Sequence, residues 1–77
     1  MVNQRAPRVS GKRVLAALER NGWYVDRVRG SHHQPRHPDE PGTVTVAVHG
    51  TDILTPKSPQ SILDQASMTV DELIALL

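Results

Sequence analysis

Two periods of apolar residues divide this chain. Over residues 9–20 the apolar positions Val14, Leu15 and Leu18, with Ala17 beside them, fall on one helical stripe. Lys12, Arg13, Glu19 and Arg20 take the remaining surface. Ser10 is suited to cap the first turn, and Val9 and Val14 stand at the N′ and N4 positions of a hydrophobic staple. Asn21-Gly22 ends the stripe. Glycine accepts the left-handed conformation of the C′ position, which returns Trp23 onto Leu18.

From Trp23 the period becomes two. Trp23–Arg29 is rich in aromatic and β-branched residues and reads as a strand. Gly30-Ser31 fits the central pair of a type II′ turn, because glycine takes φ > 0 without a Cβ clash. The chain then returns through His32–His37, a strand that Pro35 weakens unless its amide position faces away from a neighbour. Pro38-Asp39-Glu40-Pro41-Gly42 is a turn, and Thr43–Val48 alternates cleanly, with Val44, Val46 and Val48 on one face.

After a turn at His49-Gly50-Thr51-Asp52, Ile53-Leu54 is expected to cover an edge of the core. Ser58 as N-cap and Pro59 at N1 open a second helix, with Ile62, Leu63 and Ala66 inward and Ser67 interrupting. Thr69 begins a further helical turn through a capping box with Glu72 and a staple between Met68 and Leu73. Leu73, Ile74 and Leu77 then close the core. The pattern predicts an α+β fold of the order α-β-β-β-α, a three-stranded antiparallel sheet with helices packed on one face. A single domain over residues 9–77 follows a polar leader at residues 1–8.

Composition narrows the chemistry. A chain of 77 residues makes one domain. The absence of cysteine removes thiolate catalysis and cysteine metal sites, and suits a reducing compartment. No apolar run reaches the roughly 18 residues of a membrane span, and the segment Met1–Arg8 has no apolar h-region. A cytoplasmic protein with no membrane partner is the expectation. The formal net charge of +1 conceals a division. Residues 1–36 hold eight of the nine lysines and arginines with two acids, whereas residues 37–77 hold Lys57 with six acids. An anionic partner on the basic half is the physical implication.

The basic half also carries Arg27-Val28-Arg29-Gly30-Ser31-His32-His33. An imidazole at the mouth of a hairpin can give or take a proton near neutral pH, and arginines beside it suit a phosphate. A zinc site is the other use for four histidines. His33 and His37 share a strand face, but four residues at about 3.3 Å each set them ~13 Å apart, too far for one ion. Trp23 is expected in the core, while Tyr24 is left open between packing and base stacking.

Ser10-Gly11-Lys12, Asn21-Gly22-Trp23, Gly30-Ser31-His32-His33, His37-Pro38, Val46-Ala47-Val48-His49 and Ser61-Ile62-Leu63 with Ala66 follow in order over about residues 9–73. In this order and spacing the set resembles the HicA family. The resemblance implies a double-stranded-RNA-binding-domain-like fold and the toxin half of a toxin–antitoxin pair. It further implies an endoribonuclease, an mRNA interferase, whose substrate is mRNA and whose partner is a HicB-like antitoxin. The family's active histidine, the first after Gly-Ser, falls on His32. The chain departs from relatives at Pro35, where they carry an aromatic or aliphatic residue, and at Pro56-Lys57-Ser58-Pro59, where Pro-Gly-Thr is usual.

RNA brings its own nucleophile, the 2′-hydroxyl, so its cleavage requires a base, an acid and positive charge on the phosphorane, but no metal or covalent intermediate. The expected site is His32 as the proton-transfer group, with Lys12, Arg27, Arg29 and the Gly30-Ser31 turn holding RNA, and no cofactor. Alternation puts His33 on the face opposite His32 and gives Arg27 and Arg29 a face shared only with each other. Two further readings stay open: a non-catalytic RNA-binding module of the same fold, and a protein-interaction domain using an exposed strand edge or self-association.

Overall fold

The fold is that of a computed structural model, which describes residues 8–50, 53, 54 and 57–77. Seven residues of the expected leader therefore lie outside the described residues, as do Thr51 and Asp52 of the turn after His49. The elements are α1 (Gly11–Arg20), β1 (Tyr24–Arg29), β2 (His32–Arg36), β3 (Val46–Ala47), α2 (Lys57–Ala66) and α3 (Val70–Leu76). The sheet is antiparallel in the order β1-β2-β3, so the histidine-bearing strand is central. No helix among the described residues is long and apolar enough to cross a membrane.

Local chemistry sets the ends of α1 as expected. The Ser10 hydroxyl accepts the Arg13 amide at 3.2 Å, and Val9 and Val14 are both buried. At the other end Gly22 sits at φ +93, with the Trp23 amide on the Leu18 carbonyl at 3.0 Å and the Gly22 amide on that of Glu19 at 3.1 Å. These two bonds define a Schellman closure, and Trp23 is buried by it. β1 consequently begins at Tyr24 rather than Trp23.

The β1–β2 hairpin has a two-residue loop. Arg29 pairs with His32, Gly30 has φ +55, and Ser31 lies outside the left-handed region, the φ pattern of a type II′ turn. Further down, the pairing slips by one residue between Val25 and Arg27, leaving Asp26 as a bulge beside the Val25–Pro35 pair. Pro35 is fully buried in the central strand, and its carbonyl accepts the Val44 amide at 3.1 Å. Its absent N–H therefore faces β3, where regular pairing has already ended, and the expected weakening falls on that flank of the sheet. His37 leaves the ladder to form an isolated bridge with Glu40.

β3 is shorter than the alternation over Thr43–Val48 predicts. Only Val46 and Ala47 pair as a strand, yet the Val48 amide reaches the Ser31 carbonyl at 2.8 Å in the same register as the Val44 bond. Val44 and Val46 are fully buried and Val48 half-buried. They join Val9, Val14, Ala17, Leu18, Trp23, Ile62, Leu63, Ala66, Met68 and Leu73 in one core. Leu15, expected inside, is half-buried at its margin.

Two sequence expectations fail at the core's edge. Ile53 is 52% exposed, because residues 53–54 pair along the Val9–Ser10 segment and only Leu54 turns partly inward. Ile74 is 42% exposed, since Leu73 alone of α3 is fully enclosed and Leu76 and Leu77 pack at the margin. The second helix starts at Lys57, ahead of the expected Ser58 cap, and the side chains of residues 57–59 lie outside the described residues. It ends in a second Schellman closure, with Ser67 at φ +56 and the Met68 amide on the Leu63 carbonyl at 2.9 Å. The capping box of α3 is present in both directions: the Glu72 amide donates to the Thr69 hydroxyl at 3.1 Å, and the Thr69 amide donates to the Glu72 carboxylate at 3.0 Å.

One close approach has no signal in the hydrophobic pattern. α1 packs on β3 and on α3, and a Cβ at Gly11 would run into the carbonyl oxygen of Ala47. Glycine is needed there to let helix backbone rest on strand backbone.

Candidate functional site

Pairing register decides what shares a face with His32. Arg29 is its direct partner on β1, Ala47 its partner on β3, and Arg27 pairs with Gln34 two residues along. Side chains directly opposite one another project to the same side of a sheet. Arg27, Arg29, Gln34, His32 and Ala47 thus form one surface. The expectation that the two arginines share a face only with each other is wrong: the tight two-residue turn brings them into the histidine's own row. His32, Arg27 and Arg29 are all exposed.

His33 is paired with Val46 on the core side and is half-buried, and its Nδ1 lies 3.3 Å from the Ser31 carbonyl, to which it donates. His37 is a structural brace. The Asp39 amide donates to its Nδ1 at 3.0 Å, so Nε2 carries the proton and donates to the Asn21 carbonyl at 3.1 Å. Its ring leans on Trp23 at 5.3 Å. Among the described residues no group of three His, Cys, Asp or Glu side chains converges as a metal site would require.

A shallow cavity of about 190 Å³ opens at His32, lined also by Thr45, Ala47, Ser61 and Ile62. Thr45 and Ala47 supply one wall, and Ser61 and Ile62 in the middle of α2 the other. The Gln65 side-chain oxygen, accepting the Thr45 amide at 3.0 Å, holds α2 against β3. At the hairpin mouth the Ser31 hydroxyl stands 3.3 Å from Nε2 of His49. A second imidazole therefore reaches the turn that positions His32. Thr45, Ser61 and His49 come from segments remote in sequence, and the spacing of the chain gives no sign that they meet.

Lys12 is placed differently from the other basic residues. It is exposed in the first turn of α1, the helix packed on the opposite, core face, and so does not join the His32 row. Arg36 does, through its pairing with Tyr24 at the far end of the same face. What the arrangement offers is an imidazole at a small concavity, with a guanidinium directly across from it and more along the strand. Such a surface can neutralise a phosphodiester and exchange a proton with it.

No curated protein matches the chain. The family model described as HicA toxin of bacterial toxin-antitoxin matches residues 11–68, which contain the whole sheet, α1, α2 and every residue of the His32 row. The chain belongs to the HicA toxin family, the toxin side of bacterial toxin–antitoxin systems.

Proposed function

We propose that this toxin is an endoribonuclease that cleaves mRNA by histidine acid–base catalysis without a metal ion. The observation that carries the reading is the direct pairing of Arg29 with His32 at the edge of an open cavity. In the reaction the 2′-hydroxyl of the substrate attacks the adjacent phosphorus. Its proton leaves to a base, and the 5′-oxygen departs with a proton from an acid. His32 serves one of these transfers, and water or His49 completes the pair. Arg29 and Arg27 carry positive charge to the phosphate as its oxygens gain charge in the phosphorane. Gly30 and Ser31 fix the turn that aims His32, and Lys12 contributes to RNA affinity from α1. The products are a 2′,3′-cyclic phosphate and a 5′-hydroxyl.

The same surface suggests how the toxin is silenced. A HicB-like antitoxin with an acidic surface would cover the arginines and close the cavity. Cleavage of RNA by the purified protein in EDTA, lost in His32→Ala, tests the enzymatic reading. Tight RNA binding by wild-type protein without any cleavage would replace it with the binding-module reading.

A further inference from the structure

The bulge at Asp26 changes which residues of β1 face the open side of the sheet. In a regular strand Tyr24 lies an odd number of residues from Arg27 and Arg29, and would point to the opposite face. One extra residue between Val25 and Arg27 reverses that parity. Tyr24 pairs with Arg36, Arg27 with Gln34 and Arg29 with His32, so all six project to one side. Val25 and Val28 are correspondingly turned toward the side of Pro35 and His33. The slip therefore turns the ring of Tyr24 onto the open face, in line with Arg27, Arg29 and His32.

That ring is available. Tyr24 is 49% exposed, unlike Trp23, which the core holds at 4%. Arg36 beside it is exposed, as are Arg27 and Arg29. From His32 to Arg36 is four strand residues, about 13 Å, a distance that a short single-stranded segment bridges. Resting on the ribonuclease reading above, we propose that the open sheet face is a single-stranded RNA track. A nucleotide flanking the cleaved bond stacks its base on Tyr24 and sets its phosphate on Arg36. Three guanidiniums on one face make the occupant an anion, and a flat exposed ring selects one with accessible base faces. Bases stacked within a duplex offer none to a ring on a sheet surface.

The test uses a short 2′-O-methyl oligoribonucleotide, which lacks the free 2′-hydroxyl and stays uncut, presented single-stranded and as a duplex. Wild-type protein is expected to prefer the single strand. Tyr24→Ala should weaken that binding by about tenfold, and Tyr24→Phe should retain it because the ring remains. Arg36→Gln should lower the salt slope of binding by about one. Equal or tighter binding of the duplex, or unchanged single-strand affinity in Tyr24→Ala, overturns the track. The two readings fail separately. A protein that cuts RNA but ignores Tyr24→Ala loses only the track, and one that needs Tyr24 for binding but never cuts loses only the nuclease.

Discussion

Arg29 and His32 face each other as partners across the β1–β2 hairpin, with only Gly30 and Ser31 between them in the chain. The guanidinium is thereby tied to the imidazole by backbone pairing rather than by a flexible loop. Replacing Arg29 with Gln should lower the rate of RNA cleavage by roughly 10²-fold, as removal of one transition-state donor does. Arg29→Lys should recover part of it, because the charge returns without the planar fork. Single-turnover rates at saturating RNA check this, and an unchanged rate in Arg29→Gln would remove the arginine from the chemistry.

His32→Ala should reduce cleavage by 10²-fold or more, the usual contribution of a positioned acid–base group. RNA affinity should change little, because phosphate contacts from the arginines carry it. His33→Ala should affect the rate far less, since that ring lies on the core side against the Ser31 carbonyl. EDTA should leave the wild-type rate unchanged, and a 2′-deoxy residue at the cleaved position should abolish cutting. A gel assay on one labelled RNA and its 2′-deoxy counterpart reads the four cleavage outcomes, and a binding titration reads the affinity. Zinc-dependent rescue after EDTA would end the metal-free mechanism.

Ser67 closes α2 in a left-handed conformation that a side chain disfavours. Ser67→Gly should therefore stabilise the domain by about 1 kcal/mol, or roughly 4–8 °C in Tm for a domain of this size. Thermal unfolding followed by circular dichroism measures it. A lowered Tm would show that the serine side chain has a stabilising role that outweighs the strain.

Val46 has no exposed surface and pairs with His33 of the central strand. Val46→Asp would place a carboxylate where no water reaches, which costs several kcal/mol in a domain with little to spare. The variant should be unfolded at room temperature by amide proton dispersion. Native-like dispersion would contradict the core described above.

Antitoxin binding should follow the arginine face. Affinity for the cognate antitoxin is expected to fall as salt rises, and to fall further when Arg27, Arg29 and Arg36 are changed to Gln. Calorimetric titration at two salt concentrations measures both effects. An antitoxin complex that still cleaves RNA at the free toxin's rate would rule out occlusion of His32.

Most of the fold could be read from residue pattern because its signals are local. Ser10, Gly22 and the Thr69–Glu72 box act within a few residues of the helix ends they set, and each is found as expected. The turn at Gly30-Ser31 is equally local. What escaped was set by register and by tertiary approach. Alternation alone cannot locate a bulge, so the parity of β1 at Tyr24 required the pairing itself, whereas the shared face of Arg29 and His32 follows from the two-residue turn. His49, Thr45 and Ser61 reach the turn and cavity from other elements, and no periodicity connects them to His32. Ile53 and Ile74 were misassigned because hydrophobicity marks a residue as apolar without saying whether a neighbour arrives to cover it.

The contact of Gly11 with the Ala47 carbonyl joins helix to strand through main-chain atoms alone. Elsewhere in the core, layer spacing is adjustable by exchange of one aliphatic side chain for another. This joint has no such adjustment, because nothing lies within it to be exchanged. Ala47 is also a wall of the His32 cavity. The cavity is therefore anchored at a point of fixed thickness, and substitutions that resize the surrounding core change its far wall on α2 before they change the wall beside the histidine.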